Sequence, residues 1–295
     1  MRLSPAQIQQ IERTVRRVPE VIVRVVSTQS NDFGSVRKHF GRIARYGELG
    51  LETDYGEVVR GPSVGHRLLE EMDLDLEEYR RRLELVVPRG KRLPKLVHKI
   101  ILSMPRGTPS EGLLTAARNF LREQFGSAHR YAFVLHMART RPYVHVVVKA
   151  MSELGVRLHI RKPTLRRWRL AFAHHLREQN IAANATERVV RGQMRHSKPN
   201  SIYHTERRGA STRLPLPEEV AGLPRRGLRE ESGKSKLAQT RVAVERRWRA
   251  IQGSLLREGR QDLAQEVERF LNAMPSPRTG QEQLSCELSA KLLEG

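Results

Sequence analysis

Two histidines, His136 and His145, bracket the segment His136-Met-Ala-Arg-Thr-Arg-Pro-Tyr-Val-His145, which spans the end of one expected strand and the start of the next. A tight turn between antiparallel strands lets such residues approach each other. On the second strand Tyr143, His145, Val147 and Lys149 share a face by the period-two rule. Neutral imidazoles suit Zn, Cu, Ni, Fe and, less tightly, Mn, so the pair is a start on a divalent-metal site. On spacing alone, ordinary half-buried sheet residues are the plainer reading.

The elements around this pair follow from pattern. Residues 1–19 suggest a short amphipathic N-terminal helix, with Ser4 as N-cap and Pro5 at its first position. Glu20 to Val26 alternates and is valine-rich, as a strand should be. A helix is expected from Ser35, stopped by Gly47. Residues 48–94 mix turn signals with an acidic helix. Lys99 to Met104 reads as a strand, and Ser110 to Phe125 as a helix stopped by Gly126. Arg130 to Met137 and Pro142 to Ala150 read as strands, and Thr164 to Gln179 as a long basic helix. That order predicts an α+β class, with an antiparallel sheet flanked by helices over residues 20–192. Residues 193–240 read as a flexible basic linker. Residues 241–295 read as a basic helical C-terminal tail.

Charge sets the partner. The 295 residues hold 54 Lys+Arg against 32 Asp+Glu, a net charge of +22. Self-repulsion on that scale opposes compaction and points to a polyanion. No stretch approaches the roughly 18 apolar residues of a spanning helix, and no signal-peptide core is visible, so the expectation is a cytoplasmic protein without a membrane span. The single cysteine, Cys286, excludes an intramolecular disulfide and a cysteine-rich zinc site. On the basic helix Leu165, Trp168, Ala171, Phe172 and Leu176 form an apolar stripe. Packing of that stripe on the sheet would leave Arg166, Arg167, Arg169 and Arg177 for phosphates.

The order KIILSMPRGT, a helix, YAFVLH-x8-HVVVKA, a basic helix and NATERVVRGQ resembles the mobilisation-type conjugative relaxases, with FGRIARYGELGLE similar to their N-terminal motif. The resemblance covers roughly residues 21–193 and implies a sheet of about five strands. It also implies single-stranded origin-of-transfer DNA as partner, with other transfer-complex proteins beside it, and a divalent metal, Mg or Mn. In the family a histidine cluster holds the metal and a tyrosine attacks the scissile phosphate. Carried over, His136 and His145 are metal ligands and Pro142 matches the motif's proline. Three positions depart: Ala138 for an aspartate, Tyr143 for the middle histidine and Arg42 for the nucleophilic tyrosine. Tyr46, one helical turn beyond Arg42, is the expected substitute nucleophile. Tyr143 is a second, or a phenolate ligand. Arg42 and Arg45 become DNA contacts, with Lys149 and the helix arginines. The resemblance therefore implies a divergent DNA-nicking enzyme or, alternatively, an inactive relaxase-like DNA-binding accessory module. An RNA-binding protein fits the charge but not the motif order.

Overall fold

A computed structural model describes residues 2–26, 31–74, 94–126, 128–137, 141–193 and 234–277. Ala138, the acidic stretch beyond residue 74 and most of the expected linker lie outside them. The described chain divides into two compact units: residues 17–185, and a unit built from the first helix with the chain from Thr186 onward.

The larger unit is a six-stranded antiparallel sheet, one more strand than the expected five or so. Its strands are β1 (Ile22–Val26), β2 (Leu51–Thr53), β3 (Val58–Val59), β4 (Val97–Ser103), β5 (Tyr131–Met137) and β6 (Pro142–Lys149), in the order β1-β4-β6-β5-β2-β3. The additional pairing is the short β2–β3 hairpin, too brief to carry a periodic signal. On one face lie α4 (Ser110–Phe125) and α5 (Lys162–Glu178). They close a core that includes Ile100, Leu102, Phe120, Val146, Trp168 and Phe172. Trp168, Phe172 and Leu176 of the basic helix are buried there, and Leu165 and Ala171 pack against them, as the stripe requires. Aromatic edges lock the layer: Phe120 meets Phe172 with centroids 5.7 Å apart and Phe125 meets Trp168 at 5.3 Å.

On the opposite face lie α2 (Phe33–Ile43) and α3 (Val64–Glu71), packed through Val36, Phe40, Ile43, Leu68 and Leu69 onto Val97, Ala132, Val134 and Val147. The helix expected from Ser35 begins two residues earlier. Asp32 is its cap, with Oδ1 accepting from Ser35 N at 2.7 Å. Gly65 is small because the two helices approach closely: a Cβ there would stand 2.7 Å from the Arg37 carbonyl oxygen. After α5 the chain returns to the β1 edge. Asn184, fully buried, exchanges backbone hydrogen bonds with Pro19 and Val21.

The smaller unit is helical. Helix α1 (Pro5–Val15) carries the expected Ser4 cap as a capping box. It shares a core with α6 (Lys234–Arg257) and α7 (Gln261–Asn272) through Ile8, Ile11, Trp248, Leu255, Val267 and Phe270. The Trp248 indole donates to the Val190 carbonyl at 2.8 Å. Helix α6 starts at Lys234, inside the stretch read as linker. Among the described residues no helix is long and apolar enough to cross a membrane.

Candidate functional site

The strand register brings the expected cluster together. His136 pairs with Tyr143, which pairs with Ser103; His145 sits between Val134 and Ile101. All therefore share one sheet face, the face that α2 covers. Tyr143 stacks flat on His136, with centroids 5.1 Å apart and planes 8° off parallel. The His145 ring stands edge-on to both, at 5.1 Å and 5.2 Å.

Helix α2 adds a residue the sequence reading missed. Its buried stripe is Val36, His39, Phe40 and Ile43, spaced three and four apart. His39 therefore points at the sheet, and its ring lies 6.2 Å from that of His145. The side chain is 5% exposed. An Arg42 guanidinium nitrogen lies 3.2 Å from His39 Nδ1. Arginine only donates, so Nδ1 accepts and the ring proton sits on Nε2. That Nε2 is buried with no partner, and so is Nε2 of His136. The His136 ring bonds to the Ile43 backbone, which leaves Nδ1 as the donor and the Nε2 lone pair free.

The surroundings are cationic. Lys99, second buried addition, is 2% exposed on β4. It lies on the same face by register, two residues from Ile101. Burial, then Arg42 and Lys95, push its ammonium down to about 8. Loss of hydration drives the imidazoles further: His39 falls to about 3 and His145 to about 4, helped by neighbouring cations and by one another. His136 moves the same way, for burial first and Arg45 second. These rings are neutral at physiological pH, and the positive charge resides on Arg42, Arg45 and Lys99.

Beyond α2 the backbone takes an uncommon path. Arg45, Tyr46 and Gly47 have φ of 49°, 56° and 106° in succession, all left-handed. Gly47 has no alternative, since a Cβ would stand 2.3 Å from the Gly61 carbonyl carbon. This turn sets Tyr46 at 79% exposure. It lines a cleft of about 500 Å³ between α2 and α3, together with Arg37, Lys38, Arg42 and His66. Within α3, His66 Nδ1 lies 3.1 Å from Glu70.

The other expected contacts lie elsewhere. Arg166 and Arg167 are exposed, and Arg169 and Arg177 half-buried, on α5 across the sheet from the histidines. Arg177 donates to the Ala183 carbonyl at 3.1 Å. Lys149 is at the far end of β6, buried and 3.3 Å from Glu153.

The fit to a metal is divided. With metal–nitrogen bonds of about 2.1 Å, two imidazoles sharing an ion at about 90–110° put their centroids about 4.6–5.3 Å apart. His136 and His145 meet that spacing. His136 also has the ligand pattern, a ring N–H given to a backbone carbonyl and the other nitrogen free. His39 meets neither condition: its ring is about 1 Å too far, by the same bond lengths, and its partner is a donor where a ligand needs an acceptor. Among the described residues no group of three or more His, Cys, Asp or Glu side chains is placed to hold a metal ion.

Comparison with known proteins finds a match that includes strands β4, β5 and β6. Residues 61–181 match the relaxase family described as MobA/VirD2-like, nuclease domain. The chain is similar to the T-DNA border endonuclease VirD2 of Agrobacterium fabrum (strain C58 / ATCC 33970), 31% identical over 115 residues. It is also similar to the protein of the same name from Rhizobium rhizogenes, 30% identical over 115 residues. Each match covers 36% of this chain and 26% of the relative, so the chain spans about a quarter of the length of the curated relatives it matches. His136, Tyr143 and His145 fall inside the family match, whereas His39, Arg42 and Tyr46 precede it.

Proposed function

We propose, from the match of residues 61–181 to a relaxase nuclease-domain model, a protein of plasmid or mobile-element transfer that binds single-stranded origin DNA and cuts it through Tyr46. The observation that carries this reading is the exposed Tyr46 phenol at the wall of a cleft lined by Arg37, Lys38 and Arg42. A phosphodiester laid in that cleft meets cations on α2, and charge that builds on its oxygens during displacement meets the same groups. Tyr46 Oη bonds to phosphorus, the bond to the 3′ oxygen breaks, and a 5′-phosphotyrosine and a free 3′-hydroxyl result. His66, in the same cleft and held by Glu70, takes the phenol proton and returns it to the leaving oxygen. Tyr143 is the poorer candidate, because its ring is half-buried and stacked on His136.

A second reading, a strand-binding module that does not cut, draws support from Arg42. It stands where the family's tyrosine is expected, with its guanidinium on His39. A denaturing gel with labelled single strands of the neighbouring DNA decides between the two. A protein-linked band lost in Tyr46→Phe and kept in Tyr143→Phe supports the first. Strand binding with no linked band establishes the module. No strand binding at low salt overturns both.

A further inference from the structure

We infer that the helical unit carries a second nucleic-acid site, a basic cleft and ridge that grip the phosphate backbone of double-stranded DNA. The cleft, of about 990 Å³, lies between the start of α1 and the end of α6. Arg2, Arg257 and Arg260 line it against a single carboxylate, Glu258. That carboxylate is already engaged, since its Oε1 accepts from the Leu3 backbone N–H at 2.8 Å. Other acids of the unit are held by other cations: Glu266 by Arg16 at 3.0 Å and Glu245 by Arg241 at 2.5 Å. Among the described residues no carboxylate pairs with Arg2, Arg246, Arg249, Arg257 or Arg260, and all five are exposed. Five such cations on one small unit repel one another, a cost that a bound polyanion reverses.

Helix geometry extends the cleft into a ridge. Arg246 and Arg257 are about three turns apart on α6, so they project along nearly one line about 16 Å long, with Arg249 beside it. Between them Ala250 and Gly253 keep the surface low, and a Cβ at Gly253 would meet nothing within 4 Å. Arg257 is held ready: Nε donates to the Gly253 carbonyl and a terminal nitrogen to Ser254 Oγ, both at 3.1 Å. Those bonds fix the planar fork and leave its remaining N–H groups for a phosphate. The end of α1 does not make the site, because Ser4 and Gln7 already close its first turn.

Chemistry identifies the ligand. Single strands are held by charge together with aromatic platforms for unstacked bases. In this unit the aromatic rings among the described residues are Trp248 and Phe270, 3% and 6% exposed, so neither offers a face to a base. A straight row of arginines without stacking platforms suits a stiff ligand whose bases stay paired and whose phosphates alone face the protein. The choice of DNA over RNA rests on the function proposed above; the surface itself does not depend on cutting at Tyr46.

The test is fluorescence anisotropy of the full chain with a short labelled DNA duplex and with one of its strands alone, each over a range of salt. Two double variants, Arg2→Ala with Arg260→Ala and Arg246→Ala with Arg249→Ala, alter exposed side chains and should melt like the wild type. Each removes two phosphate contacts, so the salt slope of log affinity for the duplex should shrink by about 1.8, while single-strand affinity stays within about twofold. Arg257→Lys keeps the charge and should keep the duplex slope. Arg37→Ala, in the other unit, should weaken the single strand and leave the duplex slope in place. No duplex binding by the wild type at low salt, or a duplex slope unchanged in both double variants, overturns the inference. Equal loss of duplex and single strand in the double variants overturns it too, since the ridge is then one more single-strand contact. Loss of the protein-linked band with these duplex results intact removes the Tyr46 reading alone.

Discussion

Acid should unfold this protein early, through histidines buried neutral. His39, His98 and His145 have folded values of about 3, about 4 and about 4, each lowered chiefly by loss of hydration. In the unfolded chain each returns to about 6.5. The folded values are the lower ones, so between those limits the unfolded chain binds more protons and stability rises with pH. The contribution is complete above the unfolded value and is lost as pH falls through 6.5 towards 4. At pH 5 each histidine costs about 2 kcal/mol relative to pH 8, a figure that depends little on the folded value once it lies below about 4.5. Three together give about 6 kcal/mol. Partial exposure of His98 and His145, and self-repulsion in an unfolded chain of net charge +22, reduce this to about 4 kcal/mol. That is a large share of the 5–15 kcal/mol expected for a domain. With a urea slope of about 2 kcal/mol per molar, the midpoint should fall by about 2 M between pH 8 and pH 5 in the presence of a chelator. His39→Gln should lose about a third of that pH dependence. A midpoint constant over this range would refute the assignment of these rings as buried and neutral.

Other outcomes follow from single positions. Arg45→Gly should stabilise the sheet unit by about 0.5–1 kcal/mol, because relief of a left-handed arginine outweighs the glycine's entropy; calorimetry should show a melting rise of a few degrees while strand affinity drops. Gly47→Ala should cost about 2 kcal/mol or more and lower the urea midpoint, since its Cβ meets the Gly61 carbonyl carbon. Phe172→Ala, fully buried on the inner face of the basic helix, should cost about 3–5 kcal/mol in the same assay. Arg37→Ala should weaken single-strand binding and reduce the salt slope of log affinity by about 0.7, the value for one phosphate contact.

The sheet face, the flanking helices and the His136–Tyr143–His145 grouping were legible in sequence because period-two strands around a tight turn dictate them. His39 was not. It lies 106 positions from His145, and nothing in its own helix distinguishes a buried imidazole from an exposed one without the fold. Lys99 carried a partial signal, since alternation in KIILSM puts Lys99, Ile101 and Ser103 on one side, but only the register sets that side against His145. Strands β2 and β3 escaped for lack of length. Their pairing depends on the hairpin and on β5, which are tertiary facts. The left-handed Arg45 and Tyr46 also gave no warning, because neither is a glycine or asparagine. On α5 the apolar stripe leaves Arg166 and Arg167 exposed, while Arg169 and Arg177 are half-buried. Which sheet face that helix would cover, and so how far from the histidines they would stand, was beyond any local pattern.

The helical unit is discontinuous along the chain, and this orders its birth. Helix α1 leaves the ribosome well before the partners of its buried face, α6 and α7, which begin at Lys234, about 220 residues later. At about 5–20 residues per second that is a wait of roughly 10–40 s, with Ile8 and Ile11 uncovered. The sheet, whose residues are all made within that interval, has time to close first. A nascent chain arrested before α6 should therefore carry a folded sheet and an amphipathic first helix available to a chaperone.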